Sequence, residues 1–162
     1  MEDILLQIQS VLDTYVKTPR GIKAVFYGES SHITNMDFPC IVISPASTEV
    51  VIETNIQDTD TFVVQISVLT DAKKTMGKDA TNHRVNKELL NCMKIMEERE
   101  DSSMAIKENT VVGALRKHFY RKSPYTLKND IRVSYPTNTN PQYPTFEGIL
   151  EATFTSQLYN RE

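Results

Sequence analysis

The first stretch of the chain carries apolar side chains at steps of three and four residues, which places them on one face of a helix. These apolar positions are Ile4, Leu5, Ile8, Val11, Leu12 and Tyr15. Asp3 precedes all of them and is a candidate N-cap, while Pro19 and Gly21 are poor helix formers. We therefore predict an amphipathic helix that begins near Asp3 and ends near Thr18.

Four candidate strands follow this helix, over residues 22–27, 38–43, 49–54 and 61–69. The fourth alternates most cleanly, since every second residue from Phe62 to Val68 is apolar. That alternation is typical of a strand with one buried face. Polar residues 55–60 separate the last two candidates and predict a hairpin. In the second candidate Pro39 has no amide hydrogen, so this end of the strand is expected at a sheet margin or at the strand's first residues.

The second half of the chain begins with a long amphipathic pattern over residues 80–100, preceded by Asp79 as a candidate N-cap. The signal from 102 to 130 is weaker, although four apolar residues there have helical spacing, namely Val111, Val112, Leu115 and Phe119. Residues 131–135 alternate as a short strand. Three prolines and no aliphatic residue between 136 and 144 predict a loop.

The last alternating segment runs from Phe146 to Leu158. A strand of this length measures about 43 Å, whereas strands of about five or six residues are most common. It must bend across its own sheet or extend beyond it, and an extension needs a neighbour. Since strands follow one another instead of alternating with helices, we predict one α+β domain over residues 1–162. Its sheet should be mostly antiparallel, with about five to six strands and two main helices packed on one face.

Composition narrows the classes of protein that fit. The chain is 40% hydrophobic and 24% charged, which is typical of a globular domain. Its net charge of -3 argues against a protein that binds nucleic acid through a basic face. No apolar run reaches the roughly 18–20 residues of a membrane span, and Glu2 and Asp3 stand where a signal peptide would be positive. We expect no membrane association and synthesis in a cytoplasm.

Candidate chemistry is sparse. The histidines lie in three separate segments, without a second ligand at metal-binding spacing: His32, His83 and His118. Gly77-Lys78 resembles the end of a phosphate-binding loop, but Asp79 stands where Ser or Thr should be. Cys40 and Cys92 lie in apolar segments and are expected to be buried free thiols. We therefore expect no enzyme activity, no cofactor and no metal.

The order of segments resembles the tail terminator proteins of long-tailed bacteriophages. The likeness rests on an N-terminal helix, the strand FPCIVISP, the segment VVIETNIQDTDTFVVQISVLTD, a long helix, and the final FEGILEATFTSQLYNRE. It implies a subunit of a hexameric ring that caps the tail tube, stops its growth and joins the tail to the head. It further implies contacts with the tail tube protein and with head-completion neck proteins. The genome DNA would pass through the lumen without sequence-specific binding, in a virion protein made in the bacterial cytoplasm.

Candidate contact residues lie in three polar loops and on the polar face of the last strand; plain solvated turns are an equally good interpretation of each loop. These residues are Asp58, Asp60, Lys73, Lys74, Asn138, Asn140, Tyr143, Glu147 and Glu151. Acidic side chains that face a lumen would repel passing DNA. The alternative function is a nucleic-acid-binding accessory protein that uses the basic segment 116–122, which contains Arg116, Lys117, His118, Arg121 and Lys122.

Overall fold

The computed structural model describes residues 1–28, 37–52, 57–71, 82–122, 124–136 and 145–159, without the side chains at 52, 57–58, 82–88 and 157–159. Its helices are α1 (Glu2–Leu12), which continues as a π-helical segment (Asp13–Lys17), α2 (Asn82–Glu97) and α3 (Val111–Phe119). Its strands are β1 (Ala24–Tyr27), β2 (Cys40–Ile52), β3 (Gln57–Asp71), β4 (Thr126–Leu127), β5 (Arg132–Ser134) and β6 (Thr145–Tyr159).

The strands form one six-stranded sheet in the order β1-β2-β3-β6-β4, and β5 also pairs with β6. Only β1 and β2 are parallel; the other pairs are antiparallel. The predicted α+β class and mostly antiparallel sheet are therefore confirmed. The short β4 was not predicted, because two residues are too few to show any alternation.

The first helix has the predicted apolar face, with Ile4, Ile8 and Leu12 fully buried. The predicted N-cap is wrong: Met1 occupies that position, and Asp3 lies in the first turn of α1. The carboxylate of Asp3 instead accepts a hydrogen bond from the hydroxyl of Tyr125 at 2.8 Å. The side chain of Asp3 thus joins the helix to a distant segment.

The strands predicted at 38–43 and 49–54 are one continuous strand, β2, with Pro39 directly before its first residue. The first predicted strand ends at residue 43, directly before Ser44-Pro45. The pairing of β2 with β3 instead shifts register between Pro45 and Ser47 and then continues to Ile52. A bulge can accommodate a proline that lacks an amide hydrogen, so the strand need not end there.

The last strand is as long as the alternation predicted. Leu150, Ala152 and Phe154 are fully buried on its helix-facing side. Its partner β3 pairs with it along the full length, from Gln57 opposite Tyr159 to Asp71 opposite Thr145. The length of β6 is thus matched within the chain, and no neighbouring molecule is needed along this edge.

One main hydrophobic core lies between the helices and one face of the sheet. It contains residues of α1, α2 and α3 packed on β2, β3 and β6, which agrees with the predicted packing of helices on one face. A smaller apolar cluster of Phe38, Cys40, Val42 and Leu69, with Phe26 beside it, is separate from this core. Both cysteines are buried free thiols, as predicted.

An ion network ties the end of the first helical segment to the turn before α3. The guanidinium of Arg20, whose side chain is only 12% exposed, pairs with the carboxylate of Glu98 and donates to the carbonyl oxygen of Asn109 at 3.1 Å. Lys107 Nζ lies 3.3 Å from the same carboxylate. The hydrogen bond from Arg20, more than any other contact, lowers the pKa of Glu98 below its ordinary value.

Candidate assembly surfaces

The distal part of β2, Pro45–Ile52, is here called the β2 arm. Its side chains are exposed from Pro45 to Val51, and Val50 and Val51 are 60% and 41% exposed. Consecutive strand residues point to opposite faces of a sheet. No described residue therefore buries the apolar side chains on either face of the arm.

The outer edge of the β2 arm lacks a strand partner among the described residues. β1 pairs with β2 only from Cys40 to Ile43. The last contacts on this side are the hydrogen bond from the Gly28 amide to the Ile43 carbonyl oxygen, at 2.8 Å, and that from the Ser44 hydroxyl to the Gly28 carbonyl oxygen. The open edge that follows extends for about 26 Å. Such an edge can template pairing with another chain.

The opposite side of the sheet ends in the short strands β4 and β5. Two hollows lie beside them, of about 1030 Å³ and 420 Å³. The larger has apolar side chains in its lining, among them Ile106, Val112 and Leu127, with Arg116 and Lys128 also present. The smaller hollow shares Leu127 and Lys128 with it. Glu97 and Glu108 belong to the same lining, so this edge offers apolar space beside charged side chains of both signs.

The basic segment predicted from the sequence lies at this same edge. Lys117 pairs with Glu108 at 2.6 Å, and the guanidinium of Arg121 lies 5.2 Å from the ring centre of Tyr120. The ring of His118 stacks on the ring of Tyr15, in the π-helical segment that follows α1. Burial is the main cause that lowers the pKa of His118. Arg116, which is exposed, pairs with no described carboxylate. The segment therefore presents net positive charge to solvent.

Acidic and basic residues are unevenly distributed along the chain. Residues 24–72, which include β1, β2 and β3, contain seven carboxylates and neither lysine nor arginine. Residues 99–132, which include α3 and β4, contain eight lysines and arginines against four carboxylates. The net charge of the whole chain, -3, does not reveal this difference between the two segments. Of the described residues, Glu49 places an exposed carboxylate on the β2 arm, and Lys128 places an exposed ammonium group directly after β4.

The polar face of β6 points away from the helices, opposite to the buried side chains of that strand. Glu151 is exposed there, paired in register with Gln65 on β3 and Arg132 on β5. Glu147 is half-buried on the same face, opposite Leu69. Both predicted acidic residues therefore share one open face of the sheet.

The other predicted contact residues lie either in β3 or outside the described residues. Asp58 and Asp60 were placed in a loop, but both belong to β3, which pairs with β2 on one side and β6 on the other. Sequence alternation misplaced this boundary because exposed strand ends tolerate polar residues on both faces. Asp60 is half-buried near Tyr125, whose pKa is raised to about 12 by burial first and by its hydrogen bond to Asp3 second. The remaining predicted residues lie outside the described residues: Lys73, Lys74, Asn138, Asn140 and Tyr143.

Sequence reasoning did not identify the open β2 arm or the hollows beside β4. Two signals were available. Val50, Val51 and Ile52 are consecutive apolar residues in a strand, a pattern without the alternation of a half-exposed strand. The segregation of charge along the chain was the second signal.

Chemistry at the described positions is limited. Burial is the main cause that raises the pKa of Cys40 and of Cys92 to about 12, which makes both thiols poor nucleophiles. The described residues contain no group of three or more His, Cys, Asp or Glu side chains arranged to hold a metal ion. Among the described segments, no helix is long and apolar enough to cross a membrane.

A scan against protein-family models found no match, and a search of curated proteins likewise found none.

Proposed function

We propose that this chain is a structural subunit that assembles into a ring at the end of a bacteriophage tail tube, stops tube growth and joins the tail to the head. The observation that carries the proposal is the β2 arm, with an open edge and with Val50 and Val51 exposed on opposite faces. Unpaired strand edges and exposed apolar side chains are typical of surfaces that another protein covers.

The arrangement of the surfaces favours a ring over a two-fold dimer. A cyclic ring uses a heterologous interface, in which one patch meets a different patch on the next copy. The β2 arm, which carries Glu49, and the hollows beside β4, which Lys128 lines, are two different patches of this kind. The resemblance of the chain to tail terminators supplies the number six and the position on the tail tube.

The polar face of the sheet is proposed to line the lumen. Glu151 and Glu147 lie on it, and the helices cover the opposite face. Carboxylates on a lumen wall repel the phosphates of passing DNA, so the genome would pass without binding. The partners in the assembly would be the tail tube protein and the head-completion proteins of the neck. The proposal places the protein in the virion and assigns it no catalytic residue and no cofactor.

Electron microscopy and mass measurement of the purified protein, alone and with tail tubes, test the proposal. We expect rings of six subunits, alone or at the tube end, and a Val50→Glu, Val51→Glu double variant that remains monomeric. Leu6→Glu is the matched control, since Leu6 is 44% exposed on α1, and this variant should assemble normally. A protein that stays monomeric at every concentration and never binds tubes would refute the proposal.

Retention on a DNA column distinguishes the alternative, nucleic-acid binding through segment 116–122. For a ring subunit we expect negligible retention at physiological salt, and no change in Arg116→Glu. Retention that falls steeply with salt and is lost in Arg116→Glu would favour the alternative.

The proposed lumen is tested separately with Glu147→Lys and Glu151→Lys in one chain. We expect rings to assemble and DNA delivery to slow, because lysines on the wall would attract phosphates. Unchanged delivery by assembled rings would count against a lumen position for this face. Glu2→Lys with Asp13→Lys, both at exposed sites on the first helical segment, is the control for total charge.

A further inference from the structure

We propose that the open edge of the β2 arm of one copy pairs, antiparallel, with the outer edge of β4 in the next copy, so that the sheet continues from subunit to subunit. Val50 would enter the hollow beside β4, and Glu49 would lie near Lys128. The inference rests on the ring proposed above and names the contact that closes it.

The sheet topology carries the first step. The β2 arm lies beyond β1 on one side of the sheet, and β4 ends the strand order on the other side. Neither outer edge has a strand partner among the described residues. Two open edges on opposite sides of one sheet can pair only between copies. Each added copy still has one unpaired edge at the end of the row, so pairing continues until the last copy meets the first and a ring closes.

Strand direction carries the second step. β2 is antiparallel to β3, β3 to β6, and β6 to β4, so β4 runs in the direction of β3. Copies related by rotation about a ring axis keep the same strand direction along that axis. The β2 arm of the next copy therefore meets β4 in the antiparallel orientation that it already has with β3. No strand has to be reversed.

The β2 arm and β4 also lie at the same level along the strand direction. Glu49 is paired with Thr61, Thr61 with Thr155, and Thr155 with Thr126, so the β2 arm and β4 occupy the same rows of the sheet. The amide of Lys128 donates to the carbonyl oxygen of Thr153 at 2.8 Å, which continues the β4 pairing by one residue.

The side chains of the β2 arm match the hollow beside β4 in shape and charge. Val50 belongs to the same face of β2 as Ile43, which is buried against the helices, because both are opposite helix-facing positions of β3. In a continued sheet that face meets the hollow formed by α3 and β4, with Leu127 in its lining. Glu49 is exposed on the β2 arm, and Lys128 is exposed directly after β4. Complementary charge fixes which edge meets which and speeds encounter.

Cysteine cross-linking tests the contact. Val51→Cys and Asn129→Cys place exposed thiols on the two edges, whereas the native thiols are buried with pKa values of about 12. We expect a bifunctional maleimide to link Val51→Cys chains to Asn129→Cys chains in a mixture, and to give a ladder up to the closed ring when one chain carries both. Leu6→Cys, of similar exposure to Val51, should link to neither.

The other possible outcomes contradict either the proposed contact or the proposed ring. Links between two Val51→Cys chains alone would mean two-fold pairing of arms and would overturn the inference. Rings without either link would overturn the inference and leave the proposed function standing. Absence of rings, with and without tail tubes, would overturn both. Unchanged urea midpoints of the variants would show that folding is intact.

A charge exchange gives a second, independent readout. Glu49→Lys and Lys128→Glu should each weaken association by about tenfold or more, because each places like charges across the interface. The two substitutions in one chain should restore association, since every contact again joins opposite charges. Failure of the double variant to recover would overturn the pairing of Glu49 with Lys128.

Discussion

Replacement of Gly113 by alanine should destabilise the protein, although alanine is the better helix former. Gly113 is buried in the first turn of α3. A Cβ atom there would overlap the carbonyl oxygen of Lys107 and lie 2.8 Å from its carbonyl carbon. These are backbone atoms, so the clash can be relieved only if the helix or the turn before it moves.

The magnitude follows from three contributions. The change to alanine gains about 1 kcal/mol in helix propensity. Overpacking against fixed atoms costs about 1–3 kcal/mol. A shift of the turn also threatens the cap, in which Thr110 Oγ1 accepts from the Gly113 amide at 3.0 Å and donates to the Lys107 carbonyl oxygen at 2.7 Å, and loss of a cap costs about 1 kcal/mol. We expect a net loss of about 1–3 kcal/mol.

Urea unfolding followed by circular dichroism measures this loss as a lower midpoint at unchanged slope. Thermal unfolding should show a fall of roughly 2–4 °C for each kcal/mol. Gly148→Ala is the matched control, since its Cβ would lie 3.0 Å from a ring carbon of Tyr135, and a side chain can move more easily than backbone. Its loss should be the smaller one. A Gly113→Ala protein as stable as the wild type would refute the close approach of Lys107.

Three further predictions concern an ion pair, a helix cap and the buried thiols. Glu98→Gln should cost about 2 kcal/mol at pH 7, because Arg20 keeps its buried charge without an ionised partner. The pKa of Glu98 is lowered in the folded protein, so its contribution to stability is present above the unfolded pKa of about 4.3 and is lost as pH falls through the folded pKa. The difference in unfolding free energy between Glu98→Gln and wild type, measured with urea, should therefore be smaller at pH 3 than at pH 7. An equal difference at both pH values would contradict the ion pair. Thr110→Ala should lose about 1 kcal/mol in the same assay while Thr110→Ser loses less, and equal losses would argue against the cap. Cys40 and Cys92 should resist a thiol reagent at pH 8 in the native state and react in denaturant, whereas fast native labelling would contradict their burial.

Periodicity predicted those parts of the fold in which one face of an element is buried. The stripe from Ile4 to Tyr15 became α1 with its π-helical extension, and the alternation from Phe146 to Leu158 became β6, each close to its predicted bounds. Burial on one face forces a regular apolar period, so the pattern can be seen in the sequence alone. Where neither face is buried, as in the β2 arm, the period disappears, and β2 was divided at Pro45.

Candidate contact residues were predicted less well than elements. Glu147 and Glu151 were placed on the correct face because parity along β6 determines it. Asp60 was placed in a loop because its neighbours are polar, whereas the pairing of β3 with two strands makes it a strand residue. The hollow beside β4 combines α3 with residues around Ile106 and Lys128, and no local pattern relates these segments.

The sequence by itself determined the α+β class, the amphipathic helices, the long final strand and the buried thiols, since each depends on the local order of apolar and polar residues. It also contained the segregation of acidic and basic residues between 24–72 and 99–132. Only the tertiary structure decided that the β2 arm and β4 lie on opposite sides of one sheet and that β3 pairs along all of β6. Strand order is fixed by contacts between residues far apart in the chain, and the energy of those contacts depends on the packing of the whole core.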